Sequence, residues 1–290
     1  MRRFSHFAAL DWSGARGPRQ RGIALAMASG AEAPELVRPG HVWSRAEVLA
    51  WLEDVAVSGA DMLIGFDFSA GFAFADRGAY FPHWADSPAG LPALWALVER
   101  LAARDPHYEA GTFLSHPEAR RHFRHGRGDV GDLFEPGAGR LRVVERHQRA
   151  TKQAASVSNF NLVGAAQVGK ASLSGMRLLH RLCGRIPLWP LDPVPARGPV
   201  LAEIYTSLAA CAAGVPGGRS KIRHGAVLDA ALAALGSPKI GLAGPVSDHE
   251  ADALLTAAWL RAIAGDAAPW SPAPLTDTLA RTEGWTFGII

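Results

Sequence analysis

Three apolar runs in this chain end on an acidic residue, and a fourth acid lies inside an amphipathic stretch. Asp11 closes FAALD, Asp67 closes MLIGFD, Glu203 closes PVLAE, and Asp252 sits in SDHEADALLTAAWL. Short apolar runs bounded by turn residues read as strands, and the last stretch reads as a helix. A carboxylate beside a buried strand is costly to ionise unless something positive compensates it. A chain with this pattern must bring its acids to an open sheet edge or supply cations to them.

The runs fall in an α/β order. FAALDWS and RGIALAMAS predict two strands, and ELVRPGHVW a third. Ser44 and Glu47 have capping-box spacing ahead of the helix RAEVLAWLEDVAV. DMLIGFDFS is nearly continuous in apolar residues, as a central strand buried on both faces requires. From about Gly71 to Pro195 the character changes. The helix SPAGLPALWALVERLAARD is followed by EARRHFRHGRGD and GRLRVVERHQRATK, dense in Arg, His and Gly. This segment reads as an elaboration within a single domain spanning residues 1–290. PVLAEIYTS then returns as a core strand, followed by a short helix in SLAACAAG. Two further helices are predicted in HGAVLDAALAALG and SDHEADALLTAAWLRAIAG.

Composition narrows the class. Apolar residues form 48% of the 290 residues and charged residues 20%, enough for a sizeable core and too apolar for wholesale disorder. Net charge is only +3, and almost all the basic residues are Arg, a usage that a GC-rich coding sequence explains as well as anion binding does. Cys183 and Cys211 are the only cysteines, so a thiolate zinc cluster is excluded and a disulfide framework is not expected. Asp11 interrupts the apolar start before a signal-peptide core forms, and no apolar stretch is long enough to span a bilayer. The expectation is a soluble protein of a reducing, cytoplasmic compartment with no membrane partner.

Each acid alone has an ordinary explanation. A strand-end Asp often closes a turn, and Asp248 beside Ser247 suits a helix start. Four together suit a divalent cation better. Metal-assisted attack on a phosphodiester needs carboxylates on rigid elements, and adjacent strand ends lie about 4.8 Å apart. Asp248 and Asp252 share a helix face, where their repulsion would be relieved by a cation. Arg120, Arg121 and Arg124 could grip a phosphate backbone, with Phe123 stacking on a base; local salt bridges with Asp129, Asp132 and Glu135 are the bland alternative. In QVGKASLSGM, Lys170 and Ser172 could hold a phosphate, although the spacing is not a Walker loop and a close-packed turn entering MRLLHRL explains it as well. His116, His122 and His125 lack metal-ligand spacing and read as surface histidines. Asp-Phe-Ser-Ala-Gly at Asp67 lacks the glycine that a nucleophile elbow needs, which argues against a serine hydrolase.

Several of these stretches carry a family resemblance. LDWSG, IGFDFSAGF, QVGKASLSGMRLLHRL with the following LWPLD, AEIYTSL, DHEADALLTAAWL and the terminal TEGWTFGII together resemble the domain of unknown function 429 family, a group of predicted nucleases with a ribonuclease H-like fold. Matches are weaker between Trp84 and Arg142. The chain departs from the family at Phe68 and Ser69, where Pro or Gly is usual, and at Thr206, where Pro is usual; neither change removes a carboxylate. The resemblance implies a ribonuclease H-like mixed central sheet flanked by helices, with the Arg-rich elaboration between the fourth and fifth strands. It also implies that Asp11, Asp67, Glu203 and Asp252 hold one or two magnesium or manganese ions for phosphodiester hydrolysis in nucleic acid. Asp11 would bridge the metals and Asp248 would stand outside them. Fold alone does not establish function, so two other readings stay open. One is a nucleotide or phosphometabolite binder of the actin and sugar-kinase branch, which the echo between Asp11-Trp-Ser-Gly and Asp67-Phe-Ser-Ala-Gly suits. The other is a non-catalytic adaptor.

Overall fold

The structure is a computed structural model and describes residues 4–153, 156–164, 168–215 and 221–290. Six strands form one sheet: β1 (His6–Asp11), β2 (Ala24–Ser29), β3 (Glu35–Leu36), β4 (Met62–Phe66), β5 (Leu188–Trp189) and β6 (Val200–Glu203), in the spatial order β3-β2-β1-β4-β6-β5. β2 is antiparallel to β1 and β3, while β1, β4, β6 and β5 run parallel. The helices are α1 (Arg45–Ser58), α2 (Leu91–Ala102), α3 (Gly111–Ser115), α4 (Pro117–Arg120), α5 (Val143–Ala150), α6 (Val168–Leu182), α7 (Thr206–Ala212), α8 (Gly225–Ala234), α9 (Asp248–Ile263) and α10 (Asp277–Thr282).

The two-residue period of the strands divides the core into two layers. Ala8 and Leu10 of β1, with Met62, Ile64 and Phe66 of β4, face α1, α2 and α6. Phe7 and Ala9 of β1, with Leu63 of β4 and Val200 and Ala202 of β6, face α7, α8 and α9. Both faces are covered, which is why β4 is apolar throughout. On the second face the residues are small: Ala9, Ala24, Ala26 and Ala28 oppose Ala251, Ala253, Ala257 and Ala258 of α9. Small residues on both surfaces let the helix axis approach the sheet closely, and this carries the first turns of α9 over the end of β1. The expected capping box starts α1, with Ser44 Oγ accepting from Glu47 N and Glu47 Oε2 accepting from Ser44 N. Ser247 and Glu250 form a second at the start of α9.

Four expectations are corrected. The third strand is only Glu35–Leu36, because the Arg-Pro-Gly that follows turns the chain away. The short β5 was not anticipated, so Glu203 ends the sixth strand instead of the fifth; two residues before a proline carry no readable alternation. The elaboration at about 71–195 is not an appendage to the sheet but part of its core, since its α2 and α6 join α1 in covering one face. The stretch VGKASLSGM is helical from Val168 onward, inside α6, and is not a turn; Gln167 lies outside the described residues. Gly169 and Gly175 serve close packing there, against the Asn159 carbonyl and the Phe68 ring. Among the described residues no helix is long and apolar enough to cross a membrane.

Gly65 shows how tight the sheet centre is. A Cβ there would stand 2.7 Å from Ile204 Cγ2 and 2.9 Å from Leu260 Cδ1. Gly65→Ala should therefore destabilise the protein by about 1–3 kcal/mol, the usual cost of overpacking, measured by urea unfolding; an unchanged midpoint would contradict this packing.

Candidate active site

Strand register gathers the acids. Leu10 pairs with Phe66 and Phe66 with Glu203, so Asp11, Asp67 and Glu203 leave three adjacent parallel strands within one residue step of each other. Asp67 N donates to Leu10 O at 2.9 Å, extending the β1–β4 ladder to the acid itself. The pocket at this carboxyl edge has a volume of about 800 Å³ and is lined by Asp11, Asp67, Glu203 and Asp252 together. The four residues from distant parts of the chain thus share one cavity. This is the edge at which open α/β sheets place their ligands.

The four carboxyl groups are not in equivalent settings. Asp11 is buried, and His249 Nδ1 of α9 lies 2.6 Å from its Oδ2. Asp67 accepts a long hydrogen bond from a hydroxyl, Thr206 Oγ1 donating to Oδ2 at 3.3 Å. Burial is the largest influence on Asp67 and raises its pKa well above the ordinary value; the charges of Asp11, Asp252 and Glu203 raise it further. Burial likewise raises Asp11, and the His249 hydrogen bond only partly offsets it. Asp252 is pushed up to about 6, first by burial and then by Asp11. The pKa of His249 is raised as well, chiefly by its bond to Asp11, which in a base favours the charged form. These are the marks of negative charge held together without enough compensation.

Glu203 is fully compensated. Arg142, itself buried, reaches it in a two-pronged pair, Nη2 to Oε1 at 2.6 Å and Nη1 to Oε2 at 2.8 Å. Thr286 Oγ1 donates to Oε1 at 2.8 Å and Ala70 N to Oε2 at 2.9 Å. Every oxygen of that carboxylate is doubly engaged. Asp248 lies outside the pocket lining, at the start of α9, where Arg223 Nε at 3.1 Å and Lys221 Nζ at 3.3 Å neutralise it. Its charge still acts on Asp252 and His249.

None of the five residues expected to hold phosphate is among the described residues lining the pocket. Arg120 pairs with Asp129 at 2.5 Å, and Arg121 pairs with Asp132 at 2.8 Å and Glu118 at 3.3 Å. Arg124 lies on the same elaboration, in isolated bridges to Val130 and Asn161. Ser172 is wholly buried and accepts from Ser69 N at 3.2 Å. Lys170 sits on α6 one residue before the pocket-lining Ala171. Two readings of the elaboration are overturned. Phe123 cannot stack on a base, because it is fully buried among Phe72, Phe113 and Phe160. His122 is buried rather than on the surface, and burial pushes its pKa down to about 4.

Sequence reasoning missed His249, Arg142 and Lys221, all of which line the pocket. His249 was within reach, since it stands three residues before Asp252 on the same helical face. Arg142 had no distinguishing signal in an Arg-rich segment. Comparison with protein-family models, with curated proteins and with solved structures finds no match for this chain.

The donor set can be tested against a cation. Among the described residues no three carboxylate, imidazole or thiolate groups form a ready ligand cage. Magnesium does not need one, because it keeps several of its waters and binds through one or two carboxylates. Asp11, Asp67 and Asp252 supply hard oxygen donors to one cavity, and burial opposes their ionisation until positive charge is supplied, so their chemistry fits such an ion.

The raised pKa of Asp252 yields a signed prediction. In the folded protein its carboxyl favours the neutral form, so it costs nothing at low pH and destabilises as pH rises through about 6. Asp252→Asn should thus match wild type near about pH 4 and exceed it by about 1–2 kcal/mol near about pH 8 in chelator, after discounting for partial exposure. Denaturant titrations at both pH values measure the difference, and a gain of equal size at both would contradict the assignment.

Proposed function

We propose that this chain is a divalent-metal-dependent phosphodiesterase acting on nucleic acid, built on a ribonuclease H-like frame. The observation that carries the reading is the set of three aspartates, Asp11, Asp67 and Asp252, at the carboxyl edge of the sheet, where burial opposes the ionisation of all three and the charge of Asp11 opposes that of the other two. The order β3-β2-β1-β4 with β2 antiparallel, acids ending β1 and β4, and an acid on the helix above β1 support the frame. The resemblance of LDWSG, IGFDFSAGF and DHEADALLTAAWL to a family of predicted nucleases supports the chemistry.

In this reading Asp11, Asp67 and Asp252 hold magnesium or manganese. Such an ion, when bound, lowers the pKa of a water and polarises the phosphoryl oxygen. His249 orients the Asp11 carboxylate through its Nδ1 contact. Lys221 at the pocket mouth adds positive charge where a phosphate would arrive. No protein nucleophile is needed. Arg120 and Arg121 remain candidate backbone contacts only in so far as substrate displaces their acidic partners, Arg124 lies beside them on the elaboration, and Lys170 precedes the pocket-lining Ala171.

The nucleotide or phosphometabolite reading has one observation in its favour. A cavity of about 800 Å³ is the size of a small-molecule site, and Arg120 and Arg121 of the elaboration are already paired. The two readings separate in one assay series. Hydrolysis of mixed single- and double-stranded nucleic acid should need manganese or magnesium, stop in chelator, and fall on the order of 100-fold in Asp11→Asn or Asp67→Asn, the loss typical of removing a transition-state contact. Thermal stabilisation by ATP with no cleavage under any metal would instead favour the nucleotide pocket.

A further inference from the structure

The acids at the sheet edge meet two fates, and the difference between them has a consequence for the cation. Arg142 spends all of its N–H groups inside the protein. Nε donates to Glu145 Oε1 at 3.0 Å, Nη1 donates to Glu203 Oε2 at 2.8 Å and to Glu283 O at 2.9 Å, and Nη2 donates to Glu203 Oε1 at 2.6 Å and to Ser69 Oγ at 3.2 Å. A guanidinium this fully bonded is not available to a phosphate. A carboxylate this fully bonded is not available to a metal either, because a ligand bond would have to break a buried two-pronged ion pair.

We infer that Arg142 takes, as a resident positive charge, the place a second cation would fill at Glu203, so that the site holds a single divalent ion among Asp11, Asp67 and Asp252. This rests on the phosphodiesterase reading for the existence of that ion. Glu203 and Arg142 are then positioning residues. Arg142 starts α5, which supplies Glu145 and Gln148 to the pocket wall. Its bonds to Glu203 and Glu283 O tie that wall to the end of β6 and to the C-terminal segment. The Glu283 carboxylate grips the same point from the other side, accepting from Val143 N at 2.6 Å and from Phe74 N and Ala75 N at 2.7 and 2.8 Å. The width of the cavity is thereby set by a buried ion pair, and Glu203 keeps its strand-end place for that reason.

Two measurements on the full chain test this. Calorimetric titration with manganese should give one site per chain in wild type. Asp67→Asn should weaken that binding about 10-fold or more, and Glu203→Gln should leave it within about threefold, given that even outer-sphere changes cost 10–100-fold at sites where they matter. Thermal unfolding in chelator should show the reverse ranking, with Glu203→Gln losing about 5 °C or more because the buried Arg142 keeps Glu145 but loses its two-pronged acidic partner. The Arg142→Gln/Glu203→Gln double variant should lose less than the sum of its parents; should Glu203→Gln not fold, this double variant carries the titration. Two manganese sites, or a loss of affinity in Glu203→Gln equal to that in Asp67→Asn, would overturn the inference. Additive thermal losses would overturn the anchoring role. If wild type takes up no manganese at all, the phosphodiesterase reading fails with the cation count, and the thermal cycle still decides whether Arg142 and Glu203 form the anchor.

Discussion

Negative charge forced into a partly dry pocket is the constraint from which the rest of this structure can be understood. Parallel strands that lie side by side deliver their terminal residues to one place, and here β1, β4 and β6 each deliver a carboxyl group. Ionising several carboxylates there without compensation would cost more than most single contacts in a fold contribute. The chain answers in two ways at positions a few ångströms apart. At Glu203 a buried guanidinium, a threonine hydroxyl and a backbone amide satisfy the charge completely. At Asp11, Asp67 and Asp252 the His249 imidazole, the Trp12 backbone N–H, one long hydroxyl contact and the field of Lys221 act against burial without overcoming it, and the pKa values rise.

That contrast matters because a fold has no stability reason to leave three acids under-compensated. Buried carboxylates in structural ion-pair networks come with partners, as Glu203 does with Arg142, Thr286 and Ala70. Where partners are missing and a cavity opens, the better account is a ligand that supplies positive charge. The packing supports the same emphasis. Alanines on both β1–β2 and α9 allow the helix to sit close enough for Asp252 and His249 to reach over the end of β1. The Trp12 indole, donating to Ser174 Oγ at 2.9 Å and Ala171 O at 3.1 Å, fixes the chain just past Asp11 onto α6.

Much of this frame was legible in the order of residues, and the reasons are local. β1, β4 and β6 are apolar runs closed by an acid, α1 and α9 begin with capping boxes, and these signals depend on neighbours within a few positions. Convergence of Asp11, Asp67 and Glu203 on one pocket follows from putting parallel strands side by side, and the helix over the sheet adds Asp252. What could not be read was set by distant partners. Arg142 is one arginine among many until its contact with Glu203, 61 positions away, is seen. The glycines and serines after Gln167 look like a turn because glycine signals both turns and close packing, and only the proximity of Asn159 and Phe68 distinguishes them. Phe123 and His122 looked exposed amid arginines, yet they belong to an aromatic cluster closed by Phe72, Phe81, Phe113 and Phe160.

The central claim is that a divalent cation belongs among the three aspartates, and anomalous scattering locates such an ion directly. Crystals grown with manganese and measured at its absorption edge should show a peak within coordination distance, about 2–2.5 Å, of carboxylate oxygens from Asp11, Asp67 and Asp252. A map with no peak there, or with manganese only at the surface beside Asp248, would contradict the account.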